Sequence, residues 1–243
     1  MARNRFIRTT MKSVAKPISF LFLLCIPIIS YAAGNPVLYK KHFDFYTIGK
    51  NLKDTTFEWT MEFKNQDKKT VAFNNCNDIS VFNYKNIAFF HRFHFKLFTA
   101  DCTAIYKYLN AKASNISYFP NNFSDDFILS LPANIIPIIN DHIFNKRKGK
   151  SIKQAFAVEK IQLRNKSHNI LAPEDDLNID ILARGDFDND GIEDLIITTA
   201  WYARNARGKF NDLVIVTKKA ADKPMEITWR MHGSVYGPDP GTR

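Results

Sequence analysis

The stretch LNIDILARGDFDNDGIEDLIITTAWYAR, residues 177–204, sets two apolar runs on either side of a dense acidic turn. Leu177, Ile179 and Ile181 recur at every second position before the turn, and a β-branched run opens at Leu195 after it. A period of two is the mark of a strand, because successive side chains point to opposite faces. NDLVIVTKK (211–219) and MEITWRM (225–231) repeat the signal, separated by the turn-forming stretches NARGKF (205–210) and AADKP (220–224). Four strands with short links predict an antiparallel meander that carries the acidic loop.

Moving upstream, QAFAVEKIQLR (154–164) alternates at Phe156 and Val158 and again at Ile161 and Leu163. Phe57, Trp59, Met61 and Phe63 alternate with Glu58, Thr60 and Glu62, which predicts a strand with one wet face. NIAFFHRFHFKLF (86–98) is expected to form a core strand with Phe89, His91, Phe93, Phe95 and Leu97 on one face. His91 and His94, three apart on such a strand, would face opposite sides and could not share a metal. TADCTAIYKYLNAKAS (99–114) changes to helical spacing, with Thr99 or Asp101 as N-cap and Cys102, Ile105 or Tyr106, and Leu109 on one stripe. Residues 111–125 read as a surface connection, and the basic run with Lys146, Arg147, Lys148, Lys150 and Lys153 as a solvated loop, the alternative being contact with an anionic polymer or an acidic partner. The sum is a β-rich α+β fold of antiparallel sheets with a few helices.

The first residues describe export. Arg3, Arg5, Arg8, Lys12 and Lys16 precede the apolar FLFLLCIPII (20–29), and Ser30-Tyr31-Ala32 offers the small residues that signal peptidase reads. Residues 1–32 are therefore expected to be a signal peptide cleaved after Ala32, with Met1 or Met11 as the start. The ten-residue apolar core falls short of the roughly 20 needed to cross a bilayer. Removal of this segment lowers the formal charge from +10 to +5 over 211 residues, too mild an excess to indicate nucleic acid. Two cysteines then remain, Cys76 and Cys102, and an even pair in an oxidising compartment is expected to be bridged. The expected organisation is a β-rich lobe over 33–165 with a disulfide-pinned helix, followed by the meander over 166–243.

The acidic loop repeats a donor every second residue: Asp186, Asp188 and Asp190, then Gly191, Glu193 and Asp194. Alternate carboxylates turn several oxygens toward one centre, and the glycine makes the sharp bend. An EF-hand is excluded because its twelfth position, a bidentate Glu, is Ile197 here. The run ARGDFDNDGIEDLIITT instead resembles a single integrin-type FG-GAP (VCBS-like) calcium repeat, a D-x-D-x-D-G-x-x-D loop between two strands, over about residues 179–201. The resemblance implies calcium held by the side chains of Asp186, Asp188, Asp190 and Asp194 and the main-chain carbonyl of Ile192, with Glu193 outward. That family usually repeats the unit around a propeller; this chain holds one copy, so only the ion and the hairpin carry over. The competing reading is an acidic turn without an ion. Arg184-Gly185-Asp186 also spells an adhesion tripeptide, whose aspartate would be turned inward as the first ligand.

No G-x-S-x-G, H-E-x-x-H or Gly-rich phosphate loop is present, and His42, His142, His168 and His232 are scattered. The sequence leans away from an enzyme. Two functions remain in view for a periplasmic or secreted protein. One is a calcium-stabilised protein that binds a protein or cell-envelope partner, in an inhibitor- or immunity-type role. The other is a hydrolase of cell wall or carbohydrate.

Overall fold

The computed structural model describes residues 31–32, 34–137, 141–164, 167–204 and 209–231. Residues 1–30 of the expected signal peptide, and the tail from 232 onward, lie outside the described residues. The N-terminal part comprises β1 (Tyr31–Ala32), β2 (Val37–Leu38), β3 (Tyr46–Thr47), β4 (Thr56–Lys64), β5 (Thr70–Asn75), α1 (Cys76–Val81) and α2 (Arg92–Leu109). A middle stretch follows with β6 (Ile116–Ser117), α3 (Asp125–Ser130), α4 (Asp141–Arg147) and α5 (Ile152–Ala155). The chain then runs through β7 (Lys160–Arg164), β8 (Ser167–Leu171), β9 (Asp175–Gly185), β10 (Asp194–Ala203), β11 (Lys209–Thr217) and β12 (Glu226–Arg230).

The expected meander is β9 to β12, and it extends further: β7 to β12 pair in sequence order as neighbours of one sheet, with β2 added along β9. All these pairings are antiparallel. Both faces of this sheet are covered. On β11, Leu213 and Ile215 join one core while Val214 and Val216 join the other. A strand buried on both sides needs apolar residues at every position, which is why LVIV and LII are continuous. The first face packs against α2 and the three-stranded sheet β3-β4-β5. The second packs against Phe119, Ile128, Leu131, Ile135, Ile136 and Ile152. With a few helices set against antiparallel sheets, the fold is β-rich α+β.

Three expectations for the flanking segments are corrected. Residues 86–98 are no strand: Phe89–His91 is a 3-10 turn, and α2 begins at Arg92 rather than near Thr99. Phe95, Phe98, Cys102, Ile105 and Leu109 follow one another at spacings of three and four, the stripe that seats this helix in the first core. Phe89 and Phe90, left off that stripe, are 83% and 69% exposed. The basic run is not wholly a solvated loop, because Lys146 and Arg147 close α4. The Arg147 guanidinium is buried over the Phe156 ring at 4.9 Å and donates to the Pro137 carbonyl at 3.4 Å. Trp59 leaves its predicted core face, since the β4–β5 register is broken between Thr56 and Met61, and it packs edge-on to exposed Phe45 at 4.9 Å.

Cys76 and Cys102 are bridged and buried. The bond ties α1, capped by the Asn75 side chain, to the middle of α2. Its closed loop constrains the unfolded chain, an effect of about 3.5 kcal/mol on the loop-entropy estimate. Reduction, or Cys102→Ala, is expected to lower unfolding free energy by about that amount in a denaturant titration. Intact mass of protein made under oxidising conditions should read two thiol hydrogens fewer than the reduced chain, and free thiols there would contradict the bridge.

Candidate metal centre

The geometry of the acidic loop begins with one extra residue in β9. Ile197 faces Ile181 and Ile196 faces Ala183, so Leu182 bulges from the ladder. Its carbonyl is taken by the Tyr39 N–H at 2.9 Å, where the chain leaves β2. A bulge of this kind inverts the alternation beyond it. Leu177, Ile179 and Ile181 belong to the second core, yet Leu182 and Ala183 both belong to the first. Arg184 is thereby brought to the face shared by Glu193.

Glu193 does not point outward. It is 4% exposed, accepts from Arg184 Nε on Oε1 at 2.8 Å, and takes both Arg184 Nη2 and the Ser117 hydroxyl on Oε2. Burial pulls the Arg184 pKa down, but hydrogen bonding and attraction to Glu193 outweigh it and leave the guanidinium raised above its ordinary value. Arg184 also donates to the Pro120 carbonyl at 3.3 Å and lies over the Phe123 ring. Arg184 and Asp186 are both buried, which removes the adhesion tripeptide from the surface.

The 111–125 stretch, expected to be a surface connection, is the loop's cradle. Lys112 and Asp186 exchange both backbone hydrogen bonds, at 3.1 and 3.2 Å. Asn115 and Ile116 N–H groups donate to the Gly191 carbonyl, and the Glu193 N–H donates to the Ile116 carbonyl at 2.8 Å. Buried backbone groups need partners, and a polar link supplies them here. Ser114, Ser117 and Phe119 are accordingly buried.

Inside this frame the loop turns on itself. Both oxygens of Asp186 accept backbone N–H groups: Oδ1 from Asn189 and Asp190 at 2.7 and 3.2 Å, Oδ2 from Gly191 at 3.0 Å. Asn189 and Gly191 adopt positive φ of 66° and 82°, the left-handed conformation that Asn tolerates and Gly favours. The turn brings carboxylate oxygens of Asp186, Asp188 and Asp194 within 4.8 Å of one another. Asp190 stands outside that cluster, with Oδ1 accepting the Ile192 N–H at 2.8 Å. Ile192 itself sits at a parallel bridge to Ile116.

These residues fit a hard cation. Asp194 is fully buried, and its Oδ2 accepts the Phe187 N–H at 3.0 Å. Burial chiefly pushes its pKa up to about 7, eased by the Thr217 hydroxyl and the Phe187 N–H, with Asp188 and Asp190 adding repulsion. Asp188 is likewise raised, by burial and by Asp190. Among the described residues no lysine or arginine pairs with Asp186, Asp188, Asp190 or Asp194. An all-oxygen, anionic donor set of converging carboxylates without a paired cation is what a divalent ion such as calcium would complete.

A second acidic group, which the sequence gave no reason to suspect, lies between α2 and the sheet. Tyr46 donates its hydroxyl to Asp101 Oδ2 at 2.9 Å, and His42 Nδ1 lies 3.9 Å from Asp180 Oδ1. Protein atoms pack around the Asp101 carboxylate although the residue keeps a partly exposed edge. Burial pushes its pKa up to about 7 against the Tyr46 hydrogen bond, with Asp180 adding. Asp180 is pushed up to about 6, again by burial. Among the described residues the other histidines do not converge: His168 sits 3.4 Å from Asp125 and His142 is exposed on α4, while His232 lies outside the described residues. His91 and His94 lie on the 3-10 turn and α2.

Compared with protein-family models, curated proteins and solved structures, the chain matches none.

The Arg184–Glu193 pair gives a direct test of the loop's frame. Arg184→Met alone leaves a buried carboxylate without its cation and is expected to cost about 3–5 kcal/mol in a denaturant titration. Adding Glu193→Leu to it should restore most of that loss. A double variant no better than the single would show that the pair does not act as a unit.

Proposed function

We propose that this is an exported protein of the bacterial envelope, stabilised by calcium in the 186–194 loop, that binds another macromolecule in an inhibitor- or immunity-type role. The convergence of Asp186, Asp188 and Asp194 oxygens within 4.8 Å, with no lysine or arginine paired to them among the described residues, carries the calcium part of the reading. Asp186, Asp188 and Asp194 would hold the ion, with Asp190 and the Ile192 carbonyl completing the set that the sequence motif implies. The ion supplies countercharge; the N–H groups of Asn189, Asp190 and Gly191 already hold the turn's shape. The disulfide suits an oxidising compartment. Among the described residues no helix is long and apolar enough to cross a membrane.

The binding part rests on aromatic rings placed where water reaches them. Phe89 and Phe90 project from the turn before α2, and Phe45 with Trp59 forms an exposed edge-on pair. Exposed aromatics on a disulfide-braced layer are rigid anchors of the sort that interfaces use. Calcium at about ten times its dissociation constant would add roughly 1.4 kcal/mol, and sites of this class bind at about 10⁻⁴–10⁻³ M. Chelation is expected to lower the melting temperature by a few degrees, calcium but not magnesium should restore it, and Asp188→Ala should abolish the response. A melt indifferent to chelator and calcium would reject the ion.

The hydrolase reading draws on the Asp101–Asp180 group, two carboxyls with raised pKa values beside Tyr46 and His42. Neither carboxyl lines the cavities bordered by Lys150 or by Lys53. A folded-state pKa of about 7, above the ordinary 3.8, means that the native state holds the proton more tightly. The resulting stability is fully present below about pH 4 and lost as pH rises through about 7. Asp101→Asn is therefore expected to flatten part of that slope in denaturant titrations from pH 4 to 8, and to exceed wild type in stability at pH 8. If wild type cleaves wall fragments and the variant does not, the carboxyl is catalytic and the binding reading gives way.

A further inference from the structure

The fold brings two basic segments, far apart in sequence, to the rim of one cavity of about 760 Å³. Lys148 and Lys150 come from the turn after α4, and Lys218 and Lys223 from the link between β11 and β12. Glu226 is the one acidic residue in the lining. Four lysines against one glutamate around a single cavity leave a net positive charge whose members repel one another, and a counter-anion relieves that repulsion. A single basic run is ordinarily a solvated face; two runs converging on a concavity form an electrostatic trap.

The lysines stand on a fixed frame. The Lys150 carbonyl accepts the Ala133 N–H at 2.8 Å, and Pro132 and Ser151 form an antiparallel bridge. Gly149, at φ 74°, makes the bend between Lys148 and Lys150. On the opposite wall, Lys218 follows the last residue of β11, and the Lys223 N–H closes a turn on the Ala220 carbonyl at 3.1 Å.

The lining narrows the ligand's chemistry. It contains no aromatic ring on which a base or sugar could stack and no arginine fork to match a planar carboxylate. Lysines act as mobile point charges, which suits phosphate oxygens. A space of this size admits a ligand much larger than one phosphate ion. We propose that the cavity is a binding site for a ligand carrying several phosphate groups, as a linear oligophosphate or a phosphodiester chain. This goes beyond the binding role above and depends on neither the calcium loop nor the exposed aromatics.

The experiment titrates the full exported chain calorimetrically with tripolyphosphate, in calcium-free buffer at ~0.15 M salt, where surface attraction is screened. Saturable binding is expected, weakened about tenfold or more by the double variant Lys148→Glu with Lys223→Glu. The same charge change at exposed Lys68 and Lys69 is expected to shift affinity by no more than about twofold. A glycerol-phosphate oligomer and a thymidine oligonucleotide of equal charge identify the source, the tighter ligand naming a phosphodiester chain and weaker binding of both naming an oligophosphate. No binding by wild type, equal loss in the Lys68/Lys69 variant, or polyglutamate binding as tightly as tripolyphosphate would each overturn the proposal.

Discussion

One residue of excess in β9 sets the orientation of everything at the acidic end of the sheet. Because Leu182 has no partner across the β10 ladder, the side chains on either side of it obey opposite phases. Before it, every second residue feeds the core beneath α3 and α5; after it, Ala183 turns to the core beneath α2 and Arg184 to the opposite face. With unbroken alternation Arg184 would have faced the apolar interior under α2, and Glu193 would have been buried without a cation. The bulge is itself held by β2, whose exit at Tyr39 supplies the N–H for the Leu182 carbonyl. A segment from the N-terminal part of the chain thus fixes the register of a loop formed far downstream.

The sheet's two covered faces explain how these distant parts become one structure. The first face receives a helix locked by a disulfide, with Phe63, Phe73 and Phe95 packed edge-on or tilted against one another. The second receives short helices and turns with little regular structure of their own, held through backbone bonds such as Ile152 N–H to the Leu131 carbonyl and the Thr199 hydroxyl to the Ile135 carbonyl. Arg230 ties the covers to the sheet by reaching Asp212 on β11 and the Asn134 carbonyl together.

What could be read from the sequence followed from how local its cause was. The meander was legible because period-two patterning and turn residues lie within each strand. The start of α2 was not, because Phe93, Phe95 and Leu97 satisfy a strand's period over a short window while Phe95, Phe98, Cys102 and Ile105 satisfy a helix's over a longer one. At the site, the carboxylate spacing of Asp186, Asp188 and Asp194 was visible in the motif. The inward turn of Glu193 was hidden, since it depends on a bulge in the partner strand and on Ser117 from a polar link. Residues 111–117 gave no signal because their task is to pair backbone groups, which composition does not record.

The loop's hydrogen bonds and its charges point to different requirements. Asp186 satisfies three backbone N–H groups, Asp190 satisfies another, and Glu193 is neutralised by Arg184, so the turn holds its shape through bonds among its own atoms. Its electrostatics remain unbalanced, with buried Asp194 within 4.8 Å of Asp186 and Asp188. A cation bound there would relieve repulsion in a frame already built, so its effect on stability should be modest and confined to the loop. A loop that folded only around its ion would instead lose its shape along with the metal. The buried Arg184–Glu193 clamp, standing outside the carboxylate cluster, separates those two cases.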